Sequence, residues 1–238
     1  MSILKTIAVA CALTPLAHAG KNSIASRQNV NTTCTDIHYF KAQGTTLPYP
    51  GSLITVLDPL MRAFPRSNYE DIVYPATDEE GSDGYSKGVQ NSAKQINFFA
   101  EACPESQIVL MGYSQGALVL GDILAGRGDN SVLRNLTQPL VKSCGAGRQI
   151  SAILLYGNPR HLPNQTYNVG NVSAADATSK YPRTATQVTD LSKYANRICD
   201  FCNFHDRVCD ARGNDLSAHL AHSADYNAEA VAWSQSKL

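Results

Sequence analysis

Residues 107–125 read QIVLMGYSQGALVLGDILA, and no other stretch restricts the fold as much. Gln107 to Tyr113 form a short, nearly continuous apolar run, as expected for a strand covered on both faces of a parallel sheet. From Gly116 to Gly126 the chain is apolar on nearly every side and should be a buried helix. Between them lies Gly112-Tyr113-Ser114-Gln115-Gly116, a serine flanked by glycines where a strand turns into a helix. An isolated G-x-S-x-G is also compatible with an ordinary turn. With a strand before it and a helix after it, the pattern fits a nucleophile held on a strained bend that leaves little room for neighbouring side chains. That turn also places the Gln115 N–H at a helix N-terminus, where it can face a developing oxyanion.

The rest of the chain alternates in the same way. TDIHYF (35–40), DIVYP (71–75), ISAILLYG (150–157) and YANRIC (194–199) read as further strands. Leu53, Leu57, Leu60 and Phe64 recur at helical spacing around Pro59, and Val89, Ala93, Ile96 and Ala100 line one face of a second helix. Ala224, Ala228 and Val231 mark a last one. The polar stretch 158–189 is expected to be a surface excursion. No repeat or linker interrupts the pattern, so residues 34–238 are predicted to be one α/β domain: a mostly parallel sheet in a three-layer α/β/α sandwich.

The N-terminus is of another kind. Lys5, the apolar run TIAVACALTPLA and Ala17-His18-Ala19 have the layout of a cleaved secretory signal over residues 1–19, followed by a loose mature N-terminus over 20–33. Export implies disulfides among the cysteines that remain: Cys34, Cys103, Cys144, Cys199, Cys202 and Cys209. Asn31, Asn135, Asn164 and Asn171 begin sequons. The terminal Ser236-Lys237-Leu238 could be read as a peroxisomal address, but an exported chain would not meet that receptor. Lys+Arg and Asp+Glu are both 20, so nothing points to nucleic acid or an anionic surface, and no other apolar stretch is long enough to span a bilayer.

A serine nucleophile needs a base, and the base needs an orienting carboxylate. In this kind of fold the chain order is serine, acid, histidine. His161 comes too early, whereas His219 and His222 lie just before the final helix. For the acid, Cys202-Asn-Phe-His-Asp206-Arg-Val-Cys209 stands out because its two cysteines could close a small loop around Asp206. Asp200, Asp210 and Asp215 compete, and spacing does not separate them.

Together, Gly112–Gly116, Asp206 between Cys202 and Cys209, and His219 before the last helix resemble the cutinase and acetylxylan esterase family of secreted serine esterases. The resemblance runs from about Cys34 to the C-terminus, with CPESQIVLMGYSQG its most specific part. It implies a lidless α/β-hydrolase fold with Ser114 as nucleophile, His219 as base and Asp206 as its partner. HYFKAQGTT resembles the family's segment after the first strand, which makes Thr45 the second oxyanion donor beside Gln115. The family's disulfides fall on Cys34–Cys103 and Cys202–Cys209, and the remaining Cys144 and Cys199 are expected to pair. Two positions depart from the family: His205 stands where a small residue precedes the acid, and His222 where a tyrosine follows the catalytic histidine. Both are expected to be surface histidines without a catalytic role.

The implied activity is ester hydrolysis without metal or organic cofactor, by a secreted monomer acting on short acyl esters of plant cell-wall polymers. Cutin polyester is the close alternative, and a silent recognition protein on the same fold the distant one. Leu162, Tyr167 and Val169 are the apolar candidates for an acyl groove. Cys199, Cys202, His205 and Cys209 also have zinc-ligand spacing, but thiolate zinc is uncommon where disulfides form readily. A redox reading of Cys199-x-x-Cys202 fails because that motif should open a helix, whereas this one follows a strand.

Overall fold

The computed structural model describes residues 33–77, 83–171 and 179–238. The expected signal segment, the polar residues that follow it up to 32, and the sequon at Asn31 lie outside them.

Six strands form one sheet: β1 (Ile37–Ala42), β2 (Ser67–Asp71), β3 (Gln107–Tyr113), β4 (Ile150–Tyr156), β5 (Asn168–Val169) and β6 (Ile198–Phe201). Their order is β2-β1-β3-β4-β6-β5, and each neighbouring pair is parallel. Such a sheet needs helices on both faces. They are α1 (Ile54–Ala63), α2 (Asp83–Ala102), α3 (Gln115–Ala125), α4 (Ala185–Ser192), α5 (Leu216–Leu220) and α6 (His222–Gln235).

Alternation along the central strands explains the layers. Ile108 and Leu110 of β3, with Ile153 and Leu155 of β4, join a core formed with α2, α3 and α4. Val109, Met111 and Tyr113, with Leu154 and Tyr156, face the other way into a core closed by α1 and α6. Every residue of α3 is buried, as its all-round apolarity requires. No helix among the described residues is long and apolar enough to cross a membrane.

Three expectations need correction. The second strand lies at Ser67–Asp71 rather than 71–75. As an edge strand it needs little apolar content, and Ile72 and Tyr74 just beyond it pack into the core instead. The excursion after β4 contains β5 and leads directly into α4, whose start is fixed by a capping box between Thr184 and Gln187. The expected last strand begins later, at Ile198, after a 3-10 turn at Ala195–Arg197.

The excursion is tied down by charge. Arg160 and Arg183 both pair with Asp122 of α3, at 3.1 and 2.5 Å, and all three side chains are inaccessible to solvent. Removing Asp122 would leave two buried guanidinium charges uncompensated.

Candidate active site

In a parallel sheet, chemistry gathers beyond the carboxyl ends of the strands. Here β1 leads to Thr45, β3 to Ser114, β4 to Gly157 and β6 to Asp206.

Ser114 has φ 54° and ψ −118°, a conformation that costs a non-glycine residue about 1–3 kcal/mol. It is held there because its N–H donates to Tyr156 O (2.8 Å) while its carbonyl accepts from Leu118 N–H (3.1 Å) to start α3. A Cβ on Gly112 would meet the backbone of Ala117 at 2.7 Å, so the bend excludes bulk as its sequence implied. Gln115 opens α3, placing its N–H at the positive end of the helix.

The loop after β6 is closed by a Cys202–Cys209 disulfide. Inside it, Asp206 is fully buried. One carboxylate oxygen, Oδ1, accepts from Val208 N–H at 2.7 Å. The other, Oδ2, faces two imidazoles: His219 Nδ1 at 2.8 Å and His222 Nε2 at 2.7 Å. Burial pushes the Asp206 carboxyl up, but hydrogen bonds from both histidines, the His219 charge and the Val208 N–H outweigh it. The result lies well below the usual carboxylate range.

His219 lies on α5, whose N-terminus is capped by Asp215 accepting from Ser217 N–H at 2.7 Å. The Tyr113 hydroxyl, one residue before Ser114, donates to His219 O at 2.7 Å. Burial and the nearby Asp206 keep that phenol protonated, pushing its pKa up. Gly157 (φ +58°) lies against both rings: a Cβ there would sit 2.6 Å from His219 Cε1 and 3.2 Å from His222 Nε2.

Ser114, His219 and Thr45 line one open cleft of about 440 Å³. Its apolar walls are Leu47, Val208, Leu216 and Leu220, and Lys180 and Arg207 add positive charge.

The structure also separates the competing acids. Asp200 lies against Asn158 (3.2 Å) and His161 (3.3 Å), Asp210 pairs with Arg212, and Asp215 is the exposed helix cap. Asp206 is the one bonded to His219.

The expectation of two surface histidines is half overturned. His205 is exposed, but His222 is completely buried on the same carboxylate as His219. Sequence spacing carried a hint: residues three apart across a helix junction can reach one partner. The groove expectation fails as well. Tyr167 and Val169 pack against the two cores, and none of Leu162, Tyr167 and Val169 lines the cleft.

Cys34–Cys103 forms a disulfide, as does Cys202–Cys209, which removes the zinc-ligand set. The Cys144–Cys199 bond does not form, because Cys199 is a free, buried thiol. The two lie on opposite sides of the sheet: Cys199 packs with Tyr156 and Tyr226, whereas Cys144 shares a surface hollow with Leu124 and Tyr194 of the other core. Burial pushes the Cys199 thiol up to about 12, so it is unreactive.

Asp206, His219 and His222 also offer ligand atoms within 4.8 Å of one another. A cation there would have to displace the protons that both rings direct at Oδ2, so this grouping is better suited to hydrogen bonding than to metal binding.

A parallel sheet between helices, with a strained serine and a histidine–carboxylate pair on one cleft at its carboxyl edge, defines a serine carboxylic-ester hydrolase of the α/β-hydrolase type. Residues 33–238 match the Cutinase family, and the chain belongs to it. It is 33% identical to an acetylxylan esterase of Hypocrea jecorina over 224 residues, covering 88% of this chain and 69% of that protein. Identity is also 33% to Cutinase 11 of Verticillium dahliae over 215 residues, covering 87% and 70%. Among solved structures, the catalytic core domain of acetyl xylan esterase from Trichoderma reesei superposes with a TM-score of 0.75 at 31% identity, covering 87% of this chain and all (100%) of that one.

Proposed function

We propose that the chain is a secreted, extracellular esterase that removes short acyl groups from plant cell-wall polysaccharide through an acyl-enzyme on Ser114. The observation that carries the reading is the 2.8 Å contact of His219 Nδ1 with Asp206 Oδ2, in a histidine that lines the same cleft as Ser114.

With its Nδ1 proton directed at Asp206, His219 has a lone pair on Nε2. It takes the Ser114 proton as Oγ attacks the ester carbonyl, and the N–H groups of Gln115 and Thr45 stabilise the alkoxide. Collapse expels the alcohol, which leaves with the proton from His219. Water then adds to the acyl-enzyme in the same way, with His219 again as base, and releases the acid. Asp206 stabilises each imidazolium that forms. No step calls for a metal or organic cofactor, and a monomer carries every group required.

The similarity to acetylxylan esterases supports acetyl as the acyl group. Openness of the cleft fits a polymer lying across it. Export is supported by the disulfides and by the exposure of Asn135, Asn164 and Asn171. A second reading, hydrolysis of cutin polyester, is favoured by Leu216 and Leu220, which stand 46% and 62% exposed on the cleft wall.

Initial rates on p-nitrophenyl esters of increasing acyl length test both, with Ser114→Ala as control. Activity concentrated on acetate, together with release of acetate from acetylated xylan, supports the first reading. A maximum at butyrate or longer replaces it with the second. A Ser114→Ala variant that keeps most of its activity removes the nucleophile assignment and both readings.

A further inference from the structure

His222 is a second imidazole on the Asp206 carboxylate, and it has no part in the reaction above. It begins α6, is inaccessible to solvent, and directs Nε2 at Asp206 Oδ2, the oxygen that also holds His219. An ionised oxygen accepts and cannot donate, so both rings must present N–H to it. That fixes the His222 proton on Nε2. Its Nδ1 is then a lone pair, and this buried nitrogen has no hydrogen-bond partner among the described residues. A second proton, on Nδ1, would be a buried donor with no acceptor, which is the costlier arrangement. The surroundings therefore suit a neutral ring.

The packing is specific to two imidazoles. The ring centroids of His219 and His222 are 5.8 Å apart at 84°, edge to face. Tyr113 of β3 and Tyr226 of α6 lie 6.5 and 5.9 Å from His222. Gly157 leaves the space that a side chain would fill. Among the described residues, the titratable groups facing His222 are thus Asp206, His219 and these two tyrosines. Asp225, on the same helix, is bonded instead to Asn203, to which Tyr226 also donates.

We infer that His222 is a positioning residue: as a neutral donor it takes part of the Asp206 charge and so sets how strongly that carboxylate stabilises protonated His219. This rests on the triad reading above. A carboxylate oxygen shared by two donors is a weaker base toward each. The His219 imidazolium is then held less strongly by Asp206 than it would be with a single donor.

The test is the pH profile of kcat/KM on p-nitrophenyl acetate for wild type, Ser114→Ala, His222→Leu and His222→Gln, with thermal melts to confirm folding. Glutamine can place an amide N–H where Nε2 lies; leucine cannot. The acid limb of His222→Leu is expected to move up by roughly half a pH unit or more, while that of His222→Gln stays near wild type. If His222→Leu does not fold, His222→Asn replaces it, because its shorter amide falls short of Oδ2; it too is expected to shift upward. An unshifted limb in the variant lacking the donor overturns the inference, as does an equal shift in His222→Gln. Retained activity in Ser114→Ala, or an inert wild type, refutes the triad reading instead.

Discussion

A methyl group on Gly116 would lie 2.0 Å from the carbonyl oxygen of Ala42. The second glycine of the serine motif is therefore where α3 passes over the end of β1. Both sides of the contact are backbone, so no side chain can swing away to relieve it. The approach brings the helix N-terminus close to the Thr45 segment, bringing together the two proposed oxyanion donors.

Gly116→Ala should accordingly be among the most damaging single substitutions. Overpacking costs typically about 1–3 kcal/mol, and a backbone clash should reach the upper end of that range or exceed it. Urea denaturation of the purified variant measures the loss, and its kcat should fall even under conditions where it is folded. A variant with wild-type stability would show that the two backbones can separate at little cost.

Ser114 should reveal its strain when replaced. Glycine tolerates φ 54°, ψ −118° at no steric cost, relieving about 1–3 kcal/mol, less about 0.5–1 kcal/mol for its freer unfolded chain. Ser114→Gly should be more stable than wild type by about 1 kcal/mol, while Ser114→Ala keeps the strain and gains nothing. Both should be inactive. Denaturation midpoints for the three proteins decide it, and equal midpoints for glycine and alanine would remove strain from the account.

Acid should destabilise the fold in two stages. Burial against Phe99 of α2 pushes His38 of β1 down to about 4, against its hydrogen bond to Asn68. The unfolded chain therefore binds a proton that the folded chain refuses between pH 6.5 and about 4, and stability falls by up to about 3 kcal/mol across that window. Asp206 acts below it. Its folded pKa is depressed, so its contribution is complete above the unfolded value of about 4 and fades as the pH drops further. Melting temperatures against pH should show the upper stage vanish in His38→Gln and the lower stage shrink in Asp206→Asn. A His38→Gln curve that parallels wild type through the upper window would refute the first assignment.

These sites differ in how far the sequence disclosed them. The strand, bend and helix around Ser114 were legible because the pattern that makes each is local, and the alternation that gives a three-layer sandwich is simply that pattern repeated. The edge strand was misplaced because Ser67–Asp71 is polar and partly exposed, carrying no apolar signal. The pairing of His222 with Asp206, and of Arg160 and Arg183 with Asp122, joins residues whose meeting depends on the packing of separate elements. Cys199 shows the same limit: an even number of leftover cysteines does not say which side of a sheet each one faces.

The hydrogen bond from Tyr113 to the backbone of His219 joins positions 106 residues apart. Synthesis therefore delivers Ser114 well before it delivers His219, the base proposed for it. Until α5 and α6 are made, the growing chain carries that serine hydroxyl without the base proposed for it. On the proposed triad, competence waits until the last two helices are in place, so the order of synthesis itself withholds the base while the chain is being made.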